Sequence, residues 1–200
     1  MSSDVFTILA VCTGNVCRSP AAERLLASKL GPTVHTASAG THALVGHPIS
    51  EPMALLLRDG DVDPELFEAR RLTEQMVKEA DLILPMTRAQ RRLVVELWPA
   101  AVRRTFTLRE FARLLTSIDH SALPVGTPAE RLRAAIPLAV AERGRGQRPP
   151  DEDDVVDPFR LTSAVYADSF AQITSAVERI VYTIVINRFP SAVAYNGFLT

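Results

Sequence analysis

The sequence predicts an α/β fold, a parallel sheet covered by helices on both faces. Three observations lead there. Short, nearly continuous apolar runs recur with helical stretches between them, the pattern of strands buried on both faces of a parallel sheet. Residues that start helices (Ser19-Pro20, Ser50, Thr73, Thr87) stand just ahead of those stretches. The 200 residues, 47% of them hydrophobic, suffice to bury one core without disulfides or structural metal, so a single domain over residues 1–200 is expected.

Phe6 to Val11 is the first strand. Ser19-Pro20 opens AAERLLASKL, helical in composition with proline in the favoured first turn. Val34 to Ser38 supplies a second strand, and a helix follows from about Glu51 to Arg58, with Ser50 to cap it and Gly60 to end it. Thr73 starts a short helix, TEQMVKEA, and Leu82 to Met86 reads as the third strand. Thr87 caps RAQRRLVVELW, which stops before Pro99; Arg104 to Thr107 is the expected fourth strand, with REFARLL helical after it.

Residues from about 117 to 154 break this rhythm with a polar start, a helix over PAERLRAAIPLAVAE, then RGRGQRPP followed at once by DEDD. The stretch reads as a solvated surface insertion, with a lid or partner-binding loop as the alternative. From Leu161 to about Arg188, Val165, Phe170, Ile173, Val177, Ile180 and Ile184 recur near helical spacing, as on the buried face of a long helix.

A formal net charge of -1 excludes a global attraction to nucleic acid or an anionic membrane, so any affinity for anions is local. MSSDVFTILAVC lacks the basic start and long apolar core of a secretory signal, and no apolar run reaches membrane-spanning length, which makes the cytoplasm the expected compartment. There, two cysteines read as free thiols. With His35, His42, His47 and His120 they form no ligand spacing, so neither metal nor other cofactor is expected.

Both cysteines fall in VCTGNVCRSP, Val11 to Pro20, where Cys12 and Arg18 are spaced as C-x5-R between a strand and a helix start. Such a loop turns several backbone N–H groups toward one point, and the helix dipole adds positive potential, which suits a phosphate. Gly14 lets backbone approach a ligand, Asn15 tolerates a positive φ, and Arg18 is a forked, permanent cation. Cys12 lies beneath the same point, where dipole and arginine favour a thiolate, a nucleophile aimed at phosphorus. A nucleotide-binding P-loop is excluded, since GNVCRSP has neither the spacing nor the lysine.

VCTGNVCRSPAAE resembles the N-terminal signature VCxGNxCRSPxAE of the low molecular weight protein tyrosine phosphatases, and the resemblance runs on through SAGTHALVGHP (Ser38 to Pro48), ADLILPMT and VVDPF. It implies a doubly wound, four-stranded parallel sheet and hydrolysis through a phosphocysteine. By the same resemblance Cys12 attacks, while Arg18 and the amides of Thr13, Gly14, Asn15, Val16 and Cys17 hold the equatorial oxygens. Ser19 hydrogen-bonds the thiolate, Ser38 is the partner of Asn15 in shaping the loop, and Cys17 traps oxidised Cys12 as a reversible disulfide. The implied general acid belongs to an Asp-Pro pair late in the chain; of Asp63-Pro64 and Asp157-Pro158, the latter matches in order. The run Asp151 to Asp154 beside it reads as a solvated acidic stretch.

Two positions depart from the family pattern. Phe67 stands where a histidine is common, although Arg70 matches, and Leu44 stands where an aromatic often walls the mouth, which predicts modest affinity for an aryl phosphate. Val16 favours aryl phosphate over phosphoarginine, where a threonine is usual. The expected function is protein phosphotyrosine hydrolysis by a monomer acting on tyrosine-phosphorylated proteins, a bacterial tyrosine kinase or its substrates among them by family association. The alternatives are a protein phosphoarginine phosphatase, an arsenate reductase using a low-molecular-weight thiol, and a non-catalytic phosphoprotein-binding module. No cysteine pair follows Cys17, which removes the thioredoxin-linked reductase, and an intact Asp157 favours ester hydrolysis.

Overall fold

The computed structural model describes residues 5–144 and 150–186. Strand β1 (Phe6–Cys12) is central, flanked in parallel by β2 (Val34–Gly40) and β3 (Leu82–Pro85) in the order β2-β1-β3. Phe6 lies opposite Val34, and Ile8 lies opposite Thr36 on one side and Leu82 on the other. Phe6, Ile8, Ala10 and Cys12 of β1 enter a large core built with α1 (Arg18–Leu30), α2 (Glu51–Asp59), α5 (Leu108–Leu115), α6 (Pro128–Glu142) and α7 (Ser163–Val181). Leu9 and Val11 point the other way, into a smaller core under α3 (Glu74–Glu79) and α4 (Arg88–Leu97). Burial of both residue sets explains why the strand reads as a continuous apolar run.

The described sheet has three strands, not the expected four. Arg104 to Thr107 makes a single bridge, Ile83 to Thr105, because it is squeezed between two other structures. A 3-10 helix opened by Pro99 runs to Arg104, and Thr107 already caps α5, its hydroxyl accepting from Glu110 N while the Glu110 carboxylate accepts from Thr107 N. Phe106 N bonds Ile83 O, which turns Thr105 O away from the sheet, where Arg91 Nε (3.1 Å) and Arg143 Nη2 (2.8 Å) cover it.

The stretch expected as a solvated insertion carries α6, whose Leu132, Ala135 and Ala139 are fully buried in the large core. Buried Arg131 donates to Pro124 O and Thr183 O, both at 2.8 Å, tying α6 to the turn after α7. The acidic run is engaged as well: Asp153 accepts a forked pair from Arg113 (3.2 and 3.0 Å), and the Asp154 carboxylate accepts from Arg88 N. Ser50 precedes α2 without capping it; its hydroxyl meets Tyr166 Oη at 3.0 Å instead. Regular α-helix ends at Val181, Tyr182–Ile186 is π-helical, and the expected continuation to Arg188, like residues 145–149 of RGRGQRPP, lies outside the described residues. No described helix is long and apolar enough to cross a membrane.

Candidate active site

Cys12 ends β1, at the carboxyl edge where open parallel sheets bind ligands. The loop that follows is held from outside: Thr41, His42, Leu44 and Ser50 donate backbone N–H to the carbonyls of Cys12, Thr13, Gly14 and Val16 at 2.7–3.0 Å. A trans peptide sets its N–H opposite its C=O, so the same peptide units aim the N–H groups of Thr13, Gly14, Asn15 and Cys17 into the loop. The Asn15 amide reaches Cys12 Sγ at 3.2 Å, and Ser19 Oγ donates to the same sulfur at 3.0 Å. The loop then runs directly into α1, whose positive end adds to the field.

Asn15 is buried at φ 55°, the left-handed region, and every polar atom of its side chain is used. Nδ2 donates to Ser19 Oγ (2.9 Å) and Ser38 Oγ (2.8 Å), and Oδ1 accepts from Arg70 N (2.8 Å). The bond onto Ser19 Oγ commits that oxygen as acceptor and leaves its hydrogen for Cys12. Arg70 Nε also donates to Ser38 O, so Arg70 supports the loop from the segment where Phe67 is buried with the Arg24 guanidinium over its ring. Behind the loop Gly40 is required by space, since a Cβ there would lie 2.5 Å from Thr13 O.

Arg18 is 3% exposed, its Nη1 donating to Val155 O and its Nη2 pairing with Asp157 Oδ2 at 2.5 Å. The Asp157 side chain is half exposed, and Oδ1 accepts from Phe159 N. Cys12, Arg18 and Asp157 thus meet around one cavity of about 140 Å³, walled on its outer rim by Leu44, His42 and Phe159. A trough of about 780 Å³ continues from it past Thr13 and His42 toward Arg109. Thr13, Gly14, Val16 and Cys17 also border the small cavity, whereas Ser19 and Ser38 stand behind the loop and act through Asn15 and the sulfur.

Cys17 is a free thiol, as is Cys12. Burial pushes the Cys17 thiol up from its ordinary value, its hydrogen-bond partner Tyr166 Oη at 3.6 Å opposes this, and the neighbouring Cys12 adds to the rise. Tyr166, itself raised by burial, joins Cys17 to Ser50. Among the described residues no group of three or more His, Cys, Asp or Glu could hold a metal ion.

Sequence reasoning missed three neighbours. Phe159 supplies an aromatic at the mouth that Leu44 does not, and its place directly after Asp157-Pro158 was a usable signal. Buried Gln90 accepts from Met86 N and Thr87 N and donates to Thr13 Oγ1 (3.1 Å each), and the Thr87-x-x-Gln90 capping pattern pointed to half of that role. His42 carried no signal in the sequence.

Residues 7–130 match the family described as low molecular weight phosphotyrosine protein phosphatase. The chain is 38% identical over 131 residues to a protein-arginine-phosphatase of Geobacillus stearothermophilus, covering 65% of this chain and 86% of that protein. It is 38% identical over 101 residues to the low molecular weight protein-tyrosine-phosphatase Ptp of Acinetobacter johnsonii, covering 50% and 70%. The crystal structure of the tyrosine phosphatase AmsI of Erwinia amylovora superposes with a TM-score of 0.67 at 24% identity over 90% of this chain and 94% of that one, a likeness of fold.

Proposed function

This chain belongs to the low molecular weight phosphotyrosine protein phosphatase family, and from that premise we propose that it hydrolyses phosphotyrosine in proteins through a phosphocysteine at Cys12. It is a hydrolase. The observation that carries the site assignment is the placement of Cys12 Sγ under inward-facing amides, with Arg18 and Asp157 on the same cavity.

The phosphate enters the ring of amides and takes the place of Asp157 on Arg18, whose forked guanidinium suits two phosphoryl oxygens; the Asp157 carboxylate, released from the ion pair, takes up a proton from solvent. Hydrogen bonds from Asn15 N and Ser19 Oγ hold negative charge on Cys12 Sγ. The sulfur attacks phosphorus in line; the S–P bond forms as the P–O bond to the phenol breaks, and Asp157 delivers its proton to the departing oxygen. Asp157, now ionised, takes a proton from a water that attacks the phosphocysteine. Cleavage of S–P then returns the thiolate and releases phosphate. Throughout, the amides and Arg18 face the equatorial oxygens where charge concentrates.

Leu44, Val16 and Phe159 give the mouth an apolar lining suited to a phenyl ring. The relative that is a protein-arginine-phosphatase supports phosphoarginine as a second substrate reading. Turnover of phosphotyrosine, phosphoarginine and phosphoserine peptides, and of arsenate with a low-molecular-weight thiol, separates the readings. Phosphotyrosine is expected to be fastest; turnover of phosphoarginine alone, or of arsenate alone, overturns the assignment.

A further inference from the structure

We propose that Gln172 of α7 is a positioning residue for the acid step, fixing the backbone from which Asp157 delivers its proton; this rests on the phosphatase reading above. With its side chain half exposed, Asp157 is not placed by packing. Its aim depends on the peptide that precedes it, and α7 holds both polar groups of Val156. Gln172 Oε1 accepts from Val156 N at 3.1 Å, and Ser169 Oγ donates to Val156 O at 3.0 Å. Ser169 and Gln172 are three residues apart and share a helix face, so the two bonds act as one clamp.

The amide of Gln172 has its orientation set. One turn earlier, Asp168 accepts from Gln172 Nε2 through both carboxylate oxygens, each at 3.2 Å, which turns Oε1 toward Val156. Arg109 Nη1 donates to Gln172 Oε1 at 3.5 Å and to Asp154 O at 2.7 Å, so the same amide oxygen links two points of the acid loop. Asp168, Gln172 and Val156 thus form a relay of orientation ending one residue before Asp157. None of the relay side chains has a place in the covalent chemistry.

The test is the dependence of kcat/KM on leaving-group pKa across a series of aryl phosphates, compared for wild type, Gln172→Leu, Asp157→Asn and the exchange Asp168→Asn with Gln172→Glu. Gln172→Leu removes the acceptor at similar size. It is expected to lower kcat/KM on the order of tenfold for phenyl phosphate and little for p-nitrophenyl phosphate, whose leaving group needs no proton. The exchange reverses donor and acceptor between positions 168 and 172, restores an acceptor for Val156 N, and recovers most of the loss. A uniform loss across the series, no loss at all, or a loss the exchange does not recover overturns the positioning role. A steep series for Asp157→Asn beside a wild-type slope for Gln172→Leu removes Gln172 alone, whereas a shallow Asp157→Asn series removes the acid assignment and Gln172 with it.

Discussion

The loop from Cys12 to Arg18 and the loop from Asp153 to Asp157 face each other across one cavity, yet they are built from opposite materials. The first is shaped chiefly by its own residues and by neighbouring backbone: left-handed Asn15, Gly40 at its back, the N–H groups of Thr41 to Ser50, and the helix it opens. Ser38 Oγ and Gln90 Nε2 are the distant side-chain groups it uses. The second is hung on distant side chains. Thr107 donates to Asp153 O, Arg113 pairs with the Asp153 carboxylate, Arg109 donates to Asp154 O, and Ser169 and Gln172 hold Val156. Two further bonds tie it to the first loop's side of the cavity: Val155 N donates to Met86 O, and the Arg18 guanidinium donates to Val155 O. In the proposed mechanism the first loop cradles the nucleophile and is held mostly through main-chain bonds, whereas the loop that bears the acid is assembled by side chains from the whole fold.

Cys12→Ser breaks the first loop's chemistry and nothing in its shape. Phosphate release from aryl phosphates is expected to fall roughly 10⁴-fold or more, with circular dichroism unchanged, and residual turnover near wild type overturns the phosphocysteine route. Asp157→Asn breaks the second loop's contribution and is expected to cost about 10²–10³-fold in kcat/KM on phenyl phosphate, and much less on p-nitrophenyl phosphate. An equal loss on both esters assigns Asp157 a structural task instead.

The contrast in construction sharpens with Asn15→Ala. Alanine disfavours the positive φ, removes the donor to Ser19 Oγ and Ser38 Oγ, and leaves the Arg70 amide without its Asn15 acceptor, so urea unfolding is expected to report a loss of about 2–4 kcal/mol. A change under 0.5 kcal/mol refutes the claim that this side chain fixes the loop. Leu44→Tyr adds a ring opposite Phe159 and is expected to tighten phosphotyrosine peptide binding by about 0.5–1.5 kcal/mol, read from KM or from calorimetry on the Cys12→Ser variant. Weaker binding would mean that Leu44 does not wall the aryl site.

The smallest effect separates the two thiols. Cys17 is a neutral thiol pushed up by burial, so it binds its proton at a pH where the unfolded chain has lost it. Its contribution to stability is complete below the unfolded thiol value, about 8.5, and is lost as pH climbs toward the raised folded value. Tyr166, raised for the same first reason, acts in the same direction at higher pH. Iodoacetamide at neutral pH is expected to label Cys12 and spare Cys17, as read by peptide mass spectrometry; labelling of Cys17 first would show that its raised thiol value does not keep it unreactive.

What could be read from the chain follows the same division. VCTGNVCRSP carried its loop in plain view because most of its features are satisfied within a few residues or by backbone, although Asn15 also uses Ser38 Oγ and Thr13 the side chain of Gln90. Helix starts at Thr73 and Thr87 were legible for the same local reason. The fourth strand was misread because Thr105, Phe106 and Thr107 are genuinely β-prone, and only the flanking 3-10 helix and cap leave too little extended chain to pair. The insertion was misread because alanine-rich α6 has a weakly contrasted pattern, while buried Arg131 finds one of its carbonyl partners, Thr183 O, far along the chain. Gln172 and Ser169 gave no sign at all, since a helix-surface glutamine becomes meaningful only beside the peptide it holds.

The pair between Arg18 and Asp157 has a consequence for the resting protein. A guanidinium this deeply buried is costly without a counter-ion, and between turnovers the carboxylate serves as one. In the proposed mechanism substrate therefore does not fill an empty socket; it exchanges with an anion already in residence, and every bound oxyanion competes with the protein's own. Asp157→Asn, slow as a catalyst, is on this account the better phosphate receptor, with inorganic phosphate inhibiting it at lower concentration than the parent chain.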